Sequence, residues 1–428
     1  MALAKQQSGH DTSFDQNFYC QLFVKEVSIP PKNIIYLGIR EWVLELSPRL
    51  ELVFNDTGIF SEIFPLVEGD EIVVNIAKHP NVKSKQHLEA KFKVQDSSVK
   101  SSGNNQTYII SLTGILAVDE LYYGIKNKAF KNKTSKKVLE EVCSECNLDF
   151  ESKITPSDQM NWYQLQINDY DFIKHVLARS YVPDDGVIGW IQIEVPDFDA
   201  SSNLEYRNKL FVTSLKTAAQ NQTITTARYD IYKTTESEFE TDEDERTIWY
   251  NSYEIDNRSG HLNKLSNFGN SLTFYDLEEL QSDTVQKWET FFESGKPEKS
   301  FQDPNYIGQI VKNYTFGVQN NVFENYHKAI VQNSYFMKLF FGFNIVITVN
   351  SLTNVRLFDK IKLVIPTTNN FNPGDVNEMY SGNYLVGGVI HSVSKDGIYF
   401  KQVVLFRDGY NEMQQTSTKN ENTKKAGS

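Results

Sequence analysis

Leu50-Glu-Leu-Val-Phe-Asn-Asp56 and the later Phe64-Pro-Leu-Val-Glu-Gly69-Asp70-Glu71-Ile72-Val-Val-Asn-Ile76 are the stretches that decide the fold. In the first, Leu50, Leu52 and Phe54 share one parity; in the second, Ile72, Val74 and Ile76 do. A period of two puts such residues on one face of a strand, as in a half-buried sheet. Asn55-Asp56-Thr57-Gly58 reads as a turn by composition, and Gly69-Asp70 launches the next strand. Working outward, Phe18–Val24, Trp42–Leu46, Lys91–Val94 and Tyr108–Thr113 read as further short strands, with Pro30-Pro31 ending an intervening piece and a loop over Ser97–Gln106. After a polar, flexible start over residues 1–13, residues 14–118 are thus expected to form a small antiparallel β-barrel.

Near Asp119 the period changes. Ser135 is a fitting N-cap for a helix carrying Val138, Leu139, Val142, Cys143 and Cys146 at helical spacing. Trp162–Ile167 reads as a strand. Asn168-Asp169-Tyr170-Asp171 supplies a cap and acidic residues to a second helix, buried through Phe172, Ile173, Val176 and Leu177. Pro183-Asp-Asp-Gly186 turns the chain into the strand Val187–Ile193, closing an α+β module over 119–195. Residues 196–324 are an intermediate region with strand character at Phe211–Thr213 and Thr225–Tyr232, partial helix expected over Phe274–Thr290, and an acidic loop at 236–245. An amphipathic stretch, Tyr326 to Phe341, leads into a second β-barrel over 325–412, with strands at Asn344–Asn350, Lys360–Ile365, Tyr384–His391 and Ile398–Phe406. Lys395-Asp396-Gly397 is a hairpin signal, because glycine takes the positive φ such turns require. Residues 413–428 carry almost no core-forming side chain and read as a disordered tail. The fold class expected is α+β and β-rich: two small antiparallel β-barrels with an α+β module between them.

Composition narrows the function. The 428 residues hold 28 Phe and 22 Tyr, ample for several cores, and a formal net charge of -12 argues against gripping nucleic acid or an anionic membrane. No apolar run is long enough to span a bilayer, and Met1 to His10 lacks the apolar stretch of a secretory signal, so folding in a cytoplasm is expected. Cys143 and Cys146 form C-x-x-C, with Cys20 the only other thiol. A structural zinc needs four ligands, and the seven histidines lack ligand spacing. A redox pair belongs at a helix N-terminus, where the dipole lowers the thiol pKa, and this one lies at a helix end. Both thiols are therefore read as packing residues. Trp162, Tyr163, Tyr170 and Trp190 could stack on sugars or bases, but aromatics beside Ile and Val at strand spacing are read as core. No nucleophile elbow, phosphate loop, dinucleotide fingerprint, zincin helix or EF-hand loop appears. We assign no catalytic, cofactor-binding or metal-ligating residue and expect no cofactor and no enzymatic activity.

Three groups of residues, in order along the chain, resemble the central baseplate hub proteins of contractile-tailed bacteriophages, whose fold is shared with type VI secretion spike proteins. They are Leu50–Asp56 with Phe64–Ile72; Ala129-Phe130, Thr134–Leu139, Asp169–Ile173 and Gly186–Trp190; and Ser381–Val386, His391, Tyr399 and Leu405–Asn411. The resemblance implies a structural protein of the virion tail baseplate, assembled in the host cytoplasm. In this role a homotrimer presents six similar barrels as a pseudo-sixfold ring. Its implied partners are a separate cell-puncturing spike protein, tail-tube or tube-initiator proteins, baseplate wedge proteins and a tape-measure protein. DNA would pass through the lumen without specific binding. Within that frame the acidic run Glu236–Glu245, with seven acidic residues in ten, is a solvated loop or a patch facing the lumen. Interrupted by Phe239 and lacking glycine, it does not suit a calcium loop. The alternative reading of the whole chain is a phage cell-wall hydrolase or a sugar-binding β protein.

Overall fold

The computed structural model describes residues 19–77, 87–101, 107–193, 208–221, 225–229, 247–257, 273–276, 282–284, 295–296, 315–316, 323, 325–326, 329–330, 332–333, 336–337, 343–349, 355–367, 376–395, 398–407 and 410–411. The architecture is α+β and β-rich. The first seven strands are β1 (Tyr19–Val24), β2 (Val27–Ile29), β3 (Ile34–Trp42), β4 (Arg49–Asp56), β5 (Glu71–Ala77), β6 (His87–Ser101) and β7 (Tyr108–Leu116). They pair antiparallel in the order β2-β1-β5-β6-β7-β4-β3. The period of two is realised: Leu22 and Val24, Leu50, Leu52 and Phe54, and Ile72, Val74 and Ile76 all enter one core. β6 pairs with β5 through its first half and with β7 through its second, and a bulge between Val94 and Asp96 marks the change. A bulge bends its strand and lets the sheet curl over its core.

Two readings of this region are corrected. Ser97–Ser101 continues β6 rather than forming a loop, because each residue finds a partner on β7. Trp42-Val-Leu-Glu-Leu46 is not a strand; β3 ends at Trp42 and Glu45 N–H donates to the Trp42 carbonyl in a turn. The alternation there serves packing, for Val43 and Leu46 are buried while Leu44 is exposed.

The middle module holds α1 (Asp119–Tyr122), β8 (Lys126–Lys133), α2 (Ser135–Glu145), β9 (Asp149–Ser152), β10 (Met160–Ile167), α3 (Asp169–Arg179), β11 (Val187–Ile193), β12 (Asn208–Ser214) and α4 (Leu215–Gln220). β8 and β10 form a two-stranded antiparallel ribbon, while β12 lies between β11 and β9, so the module reaches past residue 195. Thr134, not Ser135, occupies the N-cap of α2; the freed Ser135 N–H donates instead to the Asp158 carboxylate at 2.9 Å. Asn168 caps α3 as expected, accepting from Asp171 N–H at 2.8 Å.

Farther along come β13 (Thr225–Tyr229), β14 (Thr247–Asn257) and four short strands, β15 (Thr273–Asp276), β16 (Ser282–Thr284), β17 (Gly295–Lys296) and β18 (Thr315–Phe316). Thr273–Asp276 and Ser282–Thr284 pair with each other as strands where partial helix was expected. The chain ends its described part with β19 (Phe343–Val349), β20 (Lys360–Val364), β21 (Gly382–Ser394), β22 (Tyr399–Arg407) and β23 (Tyr410–Asn411). Pairings β21-β20-β13-β14-β19-β22 return to β21 and close a six-stranded barrel. Four of its strands come from 325–412, and β13 and β14 come from the stretch left as an intermediate region. Nor is it wholly antiparallel, because β13 pairs parallel with both β14 and β20. Parallel neighbours need a long crossover and leave no hairpin signal in the sequence. β21 and β22 do form a hairpin, with Val393 opposite Tyr399, though Asp396 and Gly397 lie outside the described residues. The acidic run 236–245 also lies outside them.

Candidate functional site: the seam between the two β units

The two β units share a strand. β21 pairs with β20 through residues 382–385 and, along the same edge, with β3 through residues 388–394, while β22 holds its other edge. One strand therefore belongs to both units, and the sheet runs on from the first into the second.

The changeover falls at Gly387-Gly388, where the β21–β22 register shifts between Val386 and Gly388. Val43 N–H donates to the Gly387 carbonyl at 3.0 Å, stitching the turn after β3 to this point. A Cβ on Gly387 would sit 2.1 Å from Phe406 Cδ2, and one on Gly388 would sit 2.3 Å from Trp42 Cε3. The Trp42 and Phe406 rings meet edge to face at 5.7 Å, the geometry aromatic pairs favour. The glycines are required by this close approach of two rings.

On one face of the seam, directly opposed residues form three rows: Leu37, Val393 and Tyr399; Ile39, His391 and Lys401; Glu41, Val389 and Val403. Opposed residues of antiparallel strands point the same way. Leu37, Ile39, Val393 and Tyr399 belong to the core of the first unit, and Val389 and Val403 to the core of the second. Between those cores lie His391, Lys401 and Glu41, all buried. They form a polar belt that divides one continuous sheet into two apolar interiors. His391 Nδ1 and the Tyr399 hydroxyl lie 2.7 Å apart in a hydrogen bond. Burial pushes the Glu41 carboxyl up to about 7, against the pull of Lys401 and Arg356. Burial also lowers the Lys401 ammonium to about 8, countered by Glu41 and Asp359. His391 is held well below its ordinary value, first by burial and then by Lys401. The belt was missed in the sequence, yet Lys401 shares the inward parity of Tyr399, Val403 and Leu405, and a charge at that parity is the readable sign.

A second tie links the middle module to the second unit. The described residues between 326 and 337 are helical where an amphipathic approach was expected. Buried Gln332 donates to the Val182 and Asp185 carbonyls at 2.7 and 2.5 Å. Asn333 accepts from Val187 N–H at 2.9 Å and donates to the Ser180 carbonyl at 2.9 Å. Arg179 Nε reaches the Tyr326 hydroxyl at 2.7 Å.

Cys143 lies buried on α2 and Cys146 at its C-cap. Burial, then the nearby Asp169, pushes the Cys143 thiol up to about 12. Cys146 rises for the same reasons, its Sγ donating to Asp169 Oδ2 at 3.0 Å. Asp169 also accepts from Lys126 at 2.5 Å and from Gln164 at 2.8 Å. Cys20 is buried in the first core. Of the four aromatics, Trp162 and Trp190 are core residues and Tyr170 is half-buried against Tyr122. Tyr163 is exposed, a correction to its reading as core: β10 belongs to a two-stranded ribbon whose outer face nothing covers among the described residues.

No protein-family model matches the sequence, and no curated protein does. Among solved structures, the chain is similar to the tail protein of Neisseria meningitidis MC58, with a TM-score of 0.52 at 11% identity over 92% of this chain and 97% of that one. It is similar to the 43 kDa tail protein of prophage MuSo2 from Shewanella oneidensis, with a TM-score of 0.52 at 9% identity over 91% and 96%. A component of the Escherichia coli type VI secretion system overlays with a TM-score of 0.46 at 10% identity, over 92% and 79%. The likeness is one of fold: the chain has the fold of these two tail proteins.

Proposed function

We propose that this protein is the central baseplate hub of a contractile phage tail, a homotrimeric ring joining the tail tube to a separate cell-puncturing spike protein. The observation that carries this reading is the shared strand β21, which fixes two β units of one chain at a set angle. Three copies then present six β units around one axis, able to meet a sixfold tube on one side and a threefold spike on the other. Such work needs surfaces rather than catalytic groups, and the buried Glu41, His391 and Lys401 serve the seam. In this reading DNA passes through the ring, wedge and tape-measure proteins are further neighbours, and the protein resides in the virion baseplate after assembly in the host cytoplasm.

Sedimentation of the full chain at micromolar concentration, alone and with the candidate spike protein, tests the proposal. An obligate ring buries on the order of 2,000 Å² or more per contact and survives dilution. The expected result is a trimer mass, a ring in electron micrographs and a heavier complex with the spike. A stable monomer that ignores the spike would overturn the reading.

A further inference from the structure

The end of α2, the start of β8 and the start of α3 meet at one buried carboxylate oxygen. Asp169, the first residue of α3, is 1% exposed. Its Oδ2 accepts from Lys126 Nζ at 2.5 Å and from Cys146 Sγ at 3.0 Å. Because both donors rest on the same atom, nitrogen and sulfur lie within about 5.5 Å of each other. Lys126 is only partly covered and stands 3.5 Å from Glu145, itself solvent-exposed, so the cluster lies just beneath the surface.

Gln164 closes the cluster, its Nε2 donating to Asp169 Oδ1 at 2.8 Å and to the Ile167 carbonyl at 3.1 Å. Its own Oε1 is buried and takes no hydrogen bond among the described residues. A buried acceptor left without a donor is uncommon and asks for a reason. Packing supplies none, since a thiol held only for packing needs neither a carboxylate nor an amine beside it. Burial keeps the Cys146 thiol protonated, which makes it a poor target for disulfides and peroxide, because those react with the thiolate. Dioxygen, small and apolar, is the oxidant that suits such a place.

We propose that Cys146 and Lys126 form an oxidative cross-link site, joined through one atom of dioxygen into an S–O–N bridge between α2 and β8. The S–H bond and two N–H bonds of the ammonium break, and one S–O and one O–N bond form. Sulfur and nitrogen each give up two electrons, and dioxygen takes all four. Its second oxygen atom leaves as water with the thiol hydrogen and one amine hydrogen. The remaining ammonium proton passes to Asp169. The carboxylate is thus neutralised as the lysine loses its charge, and no unpaired charge stays buried. The bridge nitrogen keeps one N–H, the kind of donor that Gln164 Oε1 lacks. The sulfur stands at the level of a sulfenic acid, so thiol reductants reopen the bridge. This site belongs to the middle module alone and is independent of the proposed ring.

Mass spectrometry of the full chain tests it, with protein kept in air-saturated buffer compared with protein kept under nitrogen. The expected result in air is a gain of about 14 Da, one oxygen less two hydrogens, on a peptide pair joining Lys126 to Cys146 and reversed by dithiothreitol. Cys143→Ser should keep the gain. Cys146→Ser and Lys126→Arg should lose it, the arginine retaining a cation for Asp169 while removing the amine. The cross-linked parent should also melt higher than the reduced parent, and Lys126→Arg should melt alike in air and under nitrogen. A parent that gains no mass in air, or a gain that survives Lys126→Arg or dithiothreitol, would overturn the proposal.

Discussion

A single methyl group at Gly388 probes the seam most directly. Its Cβ would lie 2.3 Å from Trp42 Cε3, 2.4 Å from Cζ3 and 3.3 Å from Val404 Cγ2. The indole cannot retreat freely, because Phe406 abuts it edge-on and itself closes over Gly387. Overpacking of this kind costs about 1–3 kcal/mol, and the two sub-3 Å approaches place Gly388→Ala toward the upper end. Gly69→Ala is the matched control: its φ is +90° with no atom within 4 Å of the added carbon, so only backbone strain of about 1–2 kcal/mol applies. Urea denaturation followed by tryptophan fluorescence reads both. The decisive comparison is the cycle with Trp42→Leu, which removes the clashing ring edge. Gly388→Ala should cost less in that background, with a coupling on the order of 1 kcal/mol or more. Strict additivity, or a Gly388→Ala variant as stable as the parent, would refute the idea that close ring approach dictates glycine at the changeover.

Other expectations follow from the same contacts. Asp56→Ala strips four donors of one acceptor and should cost about 2–3 kcal/mol, read by chemical denaturation, with proteolysis appearing first near residue 60. Asn333→Ala leaves Val187 N–H and the Ser180 carbonyl without their partner and should lower stability by about 2–3 kcal/mol, with faster hydrogen exchange at the start of β11. Lys401→Met should be pH-dependent. Glu41 is raised from 4.5 to about 7, so its contribution is present below pH 4.5 and is lost as pH rises through 7; without Lys401 that loss deepens, and the variant's deficit in thermal midpoint should be larger at pH 8 than at pH 5. Cys146→Ser should keep the hydrogen bond to Asp169 and stay near parental stability, whereas Cys143→Ser places a hydroxyl in a core and should cost about 1–2 kcal/mol, with assembly intact in both.

The first unit was largely legible because its strands are antiparallel throughout with one face buried. Leu50, Leu52 and Phe54 alternate cleanly, and an antiparallel ladder makes such alternation reliable. The helices were legible for a similar local reason, Asn168 announcing α3 and Val138 to Cys143 the buried stripe of α2. What the sequence hid is non-local. β13 shows one buried residue, Ala227, among half-buried and exposed neighbours, and its partners β14 and β20 lie parallel to it, one of them more than a hundred residues away. Nothing within Thr225–Tyr229 could report that pairing. The seam was hidden for the same reason. Glycine pairs usually announce a turn, and Gly387-Gly388 lies inside an unbroken strand because rings from β3 and β22 need the room.

The polar belt answers a question that the shared strand raises. Two strands as apolar as β3 and β21 could slip against each other by a residue or two at modest cost, and every such slip would re-aim one β unit relative to the other. A one-residue slip sends each side chain to the opposite face. With Glu41, His391 and Lys401 confined to the inward parity, that slip would carry a carboxylate and an ammonium away from each other into different surroundings, and burying either alone costs several kcal/mol. A two-residue slip keeps the parity but moves Glu41 opposite His391 and breaks the rows that keep the two cores apart. The belt is a poor source of net stability and a strong source of register. For a chain proposed to repeat around an axis, register is the quantity that matters, because an error in the angle between its two β units would recur in every copy and the ring would not close.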